Sequence, residues 1–220
     1  MDLLEIALPF AEMCSALAYC HHELKLLHRD LKPANIFLSA AGNVKVGDFG
    51  ISRFLNTSEG LAQTQCGTPL YMSPEMARGQ RYSSAADAWA VGCILYELMT
   101  LQAPWIGQLG HRAAEGGVAG LMRRISRDAL QTAGLHRHYS TGLVALLCAL
   151  VDREPMRRPS LASVLEWPIL KRYAPPPKPG LPRICPEPVI KRRESEPAGV
   201  DHHVAALAIQ RSFKRSIASS

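Results

Sequence analysis

The sequence predicts a mainly α-helical fold with short β-hairpins, and three observations support that prediction. Residues 3–23 place apolar side chains near a helical repeat. Residues 85–98 are apolar on nearly all sides, as in a buried helix. The short apolar runs 36–38 and 44–46 flank a turn that contains Gly-Asn. The 220 residues are enough for one domain, or for one domain and a tail.

The first elements follow from local patterns. The opening helix is predicted over Leu3–Glu23, with Pro9 marking its first turn, where proline is tolerated. The apolar pair 26–27 leads into a polar segment, and together with strands 36–38 and 44–46 it suggests two short hairpins. Polar residues at hairpin mouths are well placed for function, because a rigid scaffold carries them.

The later elements are helices separated by loops. Residues 51–65 are polar and without a period, which predicts a mobile loop. The buried helix 85–98 follows, and Asp87 near its start is either an N-terminal cap or a buried hydrogen-bond hub. Residues 104–120 are glycine-rich and are expected to be irregular. Further helices are predicted around 121–125, over 143–151, and from a Ser160 cap to about residue 167.

The composition changes near residue 174. Residues 1–173 are expected to form the domain, 174–199 a disordered Pro-rich basic linker, and 200–220 an amphipathic basic helix. The net charge is +6, and from Lys171 onward ten Lys or Arg stand against four Asp or Glu. Only two aromatic residues, Tyr173 and Phe213, lie among these charges, too few for a stacking surface, so no nucleic-acid partner is expected.

The rest of the composition is that of an ordinary globular protein. It is 47% hydrophobic and 20% charged, and no apolar run reaches the roughly 18 residues that a membrane span needs. The first residues lack the pattern of a signal peptide. The six cysteines form no CxxC pair, which favours reduced thiols in a cytoplasmic protein.

One stretch carries the chemistry. His28-Arg29-Asp30 is followed by Lys32 and Asn35, and Asp48-Phe49-Gly50 comes soon afterwards. These motifs, in this order and at this spacing, resemble the eukaryotic protein kinase family. The lysine two residues after Asp30 is similar to the Ser/Thr-specific branch. The resemblance implies a kinase-like C-terminal lobe, a helical bundle with short β-hairpins at its active site.

The resemblance also implies roles for individual residues. Asp30 would accept or orient the proton of a substrate hydroxyl, and Lys32 would steady the transferred phosphoryl group of ATP. Asn35 and Asp48 would hold Mg²⁺, with Mn²⁺ as an alternative, because carboxylate and amide oxygens suit such hard cations. Phe37 matches a position that packs on the adenine. The expected reaction is transfer of the γ-phosphate to Ser or Thr of protein substrates.

Three matches outside the centre would support it. Ser73-Pro74-Glu75 stands where the family has Ala-Pro-Glu, and Arg158 matches the arginine that pairs with that glutamate. Asp87 opens the Asp-x-Trp-x-x-Gly pattern of the central helix, where it would support the backbone of the His-Arg-Asp turn. The alternative for Glu75 and Arg158 is that each faces solvent.

A regulatory role is expected at Arg29. A buried guanidinium beside Asp30 needs an anion, which a phosphate on Thr64 would supply, with Thr57 and Ser58 as weaker candidates. Thr68 is similar to the threonine of the family's Gly-Thr-Pro platform. The alternative for Thr64 is a solvated loop threonine.

The motifs look most like those of the NIMA-related kinases, cytosolic enzymes associated with centrosomes, basal bodies, cilia and flagella. The sequence contains no G-x-G-x-x-G and no V-A-I-K, so the N-terminal lobe is expected to be absent and the chain weakly active or inactive. The alternative function is a lobe-only scaffold. Its tail, over residues 204–218, resembles the first half of an IQ motif and would bind a calmodulin-like protein.

Overall fold

The fold is helical with one small sheet, as the sequence predicts. The computed structural model describes residues 3–49, 69–106 and 117–174. Its α-helices are α1 (Leu3–His22), α2 (Pro74–Ala77), α3 (Ser84–Thr100), α4 (Gly117–Arg127), α5 (Thr141–Leu150) and α6 (Leu161–Val164). Its strands are β1 (Ile36–Leu38) and β2 (Val44–Val46). Short 3₁₀ turns cover Pro33–Asn35, Leu135–Arg137, Pro155–Arg157 and Lys171–Tyr173.

Helix α1 buries the apolar stripe that the sequence predicts, with Phe10 and Leu17 among its most enclosed side chains. Pro9 lies inside the helix, so its prediction as a first-turn residue was wrong. A proline there removes one backbone hydrogen bond. Burial of the surrounding apolar face offsets that loss, because tertiary packing supplies most of a helix's stability.

The strands β1 and β2 form an antiparallel pair in which Phe37 faces Lys45 on the outer side. Gly42, with φ of 80°, supplies the left-handed residue of the connecting turn. Within the described residues this is the one sheet, so the expected second hairpin, which used residues 26–27, is not formed. The backbone N–H of Leu26 bonds to Cys20 at the end of α1 instead.

Helix α3 is the centre of the core. Almost all of its residues are buried, and Trp89 and Leu95 have no exposed surface. The side chain of Ser83 caps its start by accepting the N–H of Ala85, and Leu101 ends it in the left-handed conformation. Helix α5 packs across it. The predicted bounds of both helices differ from the observed ones by three residues or fewer.

Helix α4, which follows α3, begins earlier than expected. Helix α4 begins at Gly117, inside the segment predicted to be irregular, and its buried Leu121 and Ile125 anchor it to the domain next to α2. Val118, Leu121, Met122 and Ile125 recur at a helical spacing, but Gly116, Gly117 and Gly120 among them favoured a loop in the sequence. No helix of the described residues is long and apolar enough to cross a membrane.

Candidate active site

The loop formed by residues 28–35 brings two polar side chains to one carboxylate. Lys32 Nζ donates to Asp30 Oδ2 at 2.8 Å, and Asn35 Nδ2 donates to the same oxygen at 3.2 Å. Asn35 Nδ2 also donates to the backbone carbonyl of Asp30 at 2.6 Å. Pro33 starts the 3₁₀ turn that folds Asn35 back toward Asp30. The Asp30 side chain is 49% exposed, which leaves it open to a substrate.

The Asp48 turn lies beside this loop. The N–H of Gly47 donates to the carbonyl of Asn35 at 3.0 Å, and His28 Nε2 donates to the carbonyl of Gly47 at 2.8 Å. The rings of His28 and Phe49 pack with centroids 4.6 Å apart. Asp48 is exposed and has a φ of 59°, a conformation that Asp adopts more readily than most residues. These contacts hold the residues on both sides of Asp48 against Asn35 and His28.

Asp87 supports the loop from below, as a buried hydrogen-bond hub and not as a cap. Its carboxylate accepts the backbone N–H of His28 at 2.9 Å and that of Arg29 at 3.1 Å. The side chains of His21 and Tyr82 donate to it as well, and the His21 contact is 2.7 Å. Burial would raise the pKa of Asp87, but these four donors outweigh it and hold the pKa below its usual value.

The sequence did not single out His21 and Tyr82. Burial, together with the negative charge of Asp87, raises the pKa of the Tyr82 hydroxyl well above its ordinary value, so it stays protonated and keeps donating. A buried carboxylate needs several hydrogen-bond donors. The predicted burial of Asp87 was therefore the one sequence signal that further partners exist. His21 lies 66 residues from Asp87 along the chain, and no local pattern links them.

Glu75 and Arg158 form a buried bidentate ion pair, with N···O distances of 2.6 and 2.7 Å. Burial acts to raise the pKa of Glu75, but the hydrogen bonds from Arg158 and the backbone outweigh it, and the pKa is lowered. Arg158 also donates to the carbonyls of Ala85 and Asp152 at 2.7 Å each and stacks over Trp89. The pair therefore fastens α2 to α3, and neither side chain faces solvent.

Four other predicted site residues have different outcomes. Phe37 is 48% exposed beside Gly47, where a Cβ would lie 2.7 Å from its ring. Arg29 has a φ of 70° and is partly exposed, so the expectation of a buried guanidinium was wrong. In this left-handed conformation its backbone N–H donates to Asp87 Oδ1 at 3.1 Å. Thr64 and Thr68 lie outside the described residues.

Comparison with known proteins identifies the class of domain that this architecture represents. The model of the family described as "Protein kinase domain" matches residues 3–170, and the chain belongs to that family. Its relatives include serine/threonine-protein kinase Nek1 of Mus musculus, 42% identical over 157 residues, which are 71% of this chain and 12% of Nek1. Nek9 of Mus musculus is 38% identical over 152 residues, which are 69% of this chain and 15% of Nek9.

Serine/threonine-protein kinase Nek2 of Homo sapiens is 37% identical over 163 residues, which are 72% of this chain and 34% of Nek2. The particular group that the chain resembles is therefore the NIMA-related Ser/Thr kinases, as its motifs predict. The aligned part spans from 12% to 34% of the length of these three relatives. Ser73 remains a departure from the family's alanine, and it is buried at the residue before α2.

Proposed function

We propose that this chain carries the catalytic machinery of a serine/threonine protein kinase, which transfers the γ-phosphoryl group of ATP to a Ser or Thr hydroxyl. The observation that supports this most directly is the convergence of Lys32 and Asn35 on the exposed carboxylate of Asp30. A fixed carboxylate can orient the substrate hydroxyl and accept its proton. The phosphate then bonds to the substrate oxygen, and ADP leaves.

The remaining groups act by position and charge. The Lys32 ammonium lies 2.8 Å from Asp30, where it can neutralise charge on the transferred phosphoryl group. Asp87 fixes the backbone of His28 and Arg29, and therefore the direction in which Asp30 points. Phosphoryl transfer depends largely on such positioning and neutralisation.

A divalent cation fits the oxygen donors that the site offers. The exposed carboxylate of Asp48 and the amide oxygen of Asn35 are hard ligands, and Mg²⁺ commonly binds through one or two carboxylates together with phosphate oxygens. Within the described residues no cluster of three or more His, Cys, Asp or Glu forms a cage for another metal. When bound, the cation would neutralise charge on the nucleotide phosphates, with Mn²⁺ as the alternative.

The test is a phosphoryl-transfer assay with labelled ATP, Mg²⁺ and mixed Ser, Thr and Tyr peptides, run at high protein concentration. Transfer to Ser and Thr is expected, and Asp30→Asn should lower it by about 10²–10⁴-fold. Asp30 is exposed, so this variant should unfold at the wild-type temperature. Asp128→Asn, which changes another exposed carboxylate, is the matched control and should keep the activity. Transfer to Tyr alone, or equal rates for Asp30→Asn and wild type, would contradict the proposal.

Regulation and location are proposed on the sequence alone. A phosphate on Thr64 would order residues 51–66 through Arg29, and unchanged activity in Thr64→Ala would contradict this. From the motif resemblance we also propose a cytoplasmic location at centrosomes, basal bodies, cilia or flagella, which imaging of the tagged protein would test. The boundaries at residues 173 and 199 also remain proposals, and limited proteolysis would test them.

The second candidate function, a scaffold with a calmodulin-binding tail, depends on the basic apolar pattern of residues 204–218. These residues lie outside the described part of the chain. Titration of labelled calmodulin with a peptide of residues 200–220 would test it, and absence of Ca²⁺-dependent binding would exclude it.

A further inference from the structure

Helices α2 and α4 pack side by side, and five arginines lie on α4 or just after α2; we call this set of residues the basic face. Its members are Arg78 and Arg81, which follow α2, and Arg123, Arg124 and Arg127 of α4. All are exposed except Arg124, which is partly buried. Arg123 and Arg127 are one helical turn apart, so their side chains are neighbours on the helix surface.

The basic face has no compensating acids of its own. Helix α4 contains no Asp or Glu, and within residues 3–49, 69–106 and 117–174 no ion pair involves any of the five arginines. Like charges one turn apart destabilise a helix. The helix dipole stabilises the positive charges of Arg124 and Arg127, which lie near the C-terminus of α4. It does not account for the charges of Arg123 and Arg81. The nearest acid in sequence, Asp128, follows α4 and is exposed.

The position of the basic face connects it to the candidate active site. The segment that carries Arg78 and Arg81 leads directly to Tyr82, whose hydroxyl bonds to Asp87 under the 28–35 loop. Arg78 Nε is fixed by the carbonyl of Pro74, next to Glu75 of the buried ion pair. A chain bound along these arginines would therefore lie on the segment that leads to Tyr82, the donor to Asp87 under the 28–35 loop.

We propose that the basic face binds an acidic segment of the protein substrate, outside the residue that receives the phosphate. The charge complementarity selects Asp- and Glu-rich peptides and accelerates their capture. This inference deepens the proposed kinase function. It rests on that function only in taking the bound peptide to be a substrate, because binding itself can be measured without catalysis. Nucleic acid is the competing ligand for a basic surface, and the test includes it.

The experiment measures fluorescence anisotropy of a labelled peptide that has one Ser among Asp and Glu, with the full 220-residue chain. Arg123→Gln/Arg127→Gln should weaken binding about five-fold or more. The matched control, Arg137→Gln/Arg157→Gln, removes two exposed charges elsewhere and should leave binding unchanged. Added salt should weaken the wild-type complex. Circular dichroism checks that both variants remain folded.

Three results would overturn the inference: equal binding of the peptide with Asn and Gln in place of its acids, equal loss in the control variant, or tighter binding of an oligonucleotide of the same charge. Phosphoryl transfer with the same KM for acidic and neutral peptides would also contradict it while leaving the kinase function intact. Conversely, specific binding of the acidic peptide together with equal transfer rates for Asp30→Asn and wild type would contradict the proposed kinase function and leave the basic face as a docking surface.

Discussion

At the scale of single residues, the four donors to Asp87 explain why a buried carboxylate is stable under the loop. Two of them are backbone N–H groups of the loop itself, so the carboxylate fixes main-chain geometry and not only side chains. Removing one donor leaves a buried charge less well satisfied, which costs about 1–3 kcal/mol. The effect should be local, because the loop is the part of the chain that Asp87 holds.

Tyr82→Phe therefore should speed amide hydrogen exchange of His28 and Arg29 by about 5–30-fold, the factor that corresponds to one or two kcal/mol. The measurement is exchange followed by NMR or mass spectrometry on the full chain. Tyr139→Phe is the matched control, because it removes a hydroxyl that donates to Met99 at 2.6 Å away from the loop. Equal exchange of the two amides in both variants would show that Tyr82 does not hold the loop.

At the scale of elements, the crossing of α3 and α5 depends on Gly92. A Cβ at this position would lie 2.8 Å from Leu150 Cβ and from Val151 Cγ1, closer than packed carbons tolerate. The Asp-x-Trp-x-x-Gly pattern thus places its carboxylate under the loop and its glycine at the helix crossing. Asp87 and Gly92 are five residues apart, about 1.4 helical turns, so they point to different sides of α3.

Gly92→Ala should destabilise the domain by about 1–3 kcal/mol, because the added methyl overpacks the crossing. Gly142→Ala is the matched control within α5, where the nearest atom, Ile169 Cδ1, lies 3.7 Å from the new Cβ. The control should be neutral or stabilising, since alanine favours a helix. Urea unfolding of both variants measures the difference. Equal stability of the two variants would contradict this account of the crossing.

The Glu75–Arg158 pair predicts a loss of stability in acid. The pKa of Glu75 is lower in the folded chain than its ordinary value of 4.5, so the unfolded chain binds the proton first. The contribution to stability is therefore complete above about pH 4.5 and is lost as the pH falls through the folded pKa. Breaking a buried ion pair costs about 3–5 kcal/mol.

Glu75→Gln should accordingly lower the Tm at pH 7. It should also reduce the further decrease in Tm as the pH is lowered from neutral to acidic. Thermal unfolding over that range measures both effects. Glu166→Gln is the control, because Glu166 and its partner Lys171 are exposed and such surface pairs contribute little. A Tm at pH 7 that is the same for both variants would argue against the structural importance of the buried pair.

At the scale of the whole molecule, nucleotide binding should be weak. Phe37, the residue expected beneath the adenine, is 48% exposed, and the sequence contains no G-x-G-x-x-G to cover the phosphates. We expect the 220-residue chain to bind ATP with Mg²⁺ at a Kd on the order of 1 mM. Isothermal titration measures it, with Asp48→Asn expected to abolish the residual binding. A micromolar Kd for the wild-type chain would contradict this expectation.

The sequence alone determined the parts of the protein that depend on neighbours along the chain. These parts are the apolar stripes of the helices, the β1–β2 hairpin and the approach of Lys32 and Asn35 to Asp30. Each involves residues close together in sequence, where backbone geometry allows few conformations. The family resemblance also predicted long-range contacts of Glu75, Arg158 and Asp87. The structure contains the Glu75–Arg158 pair and the bond from His28 N–H to Asp87.

The tertiary structure decided what depends on how distant segments pack. It gave Asp87 its partners His21 and Tyr82, set Arg29 partly in solvent, and grouped the arginines of α4 with those that follow α2. No short pattern encodes these contacts, because each is fixed by helices that cross far from one another in sequence. The local spacing thus specifies the reactive groups, and long-range packing specifies what holds them and which surface lies beside them.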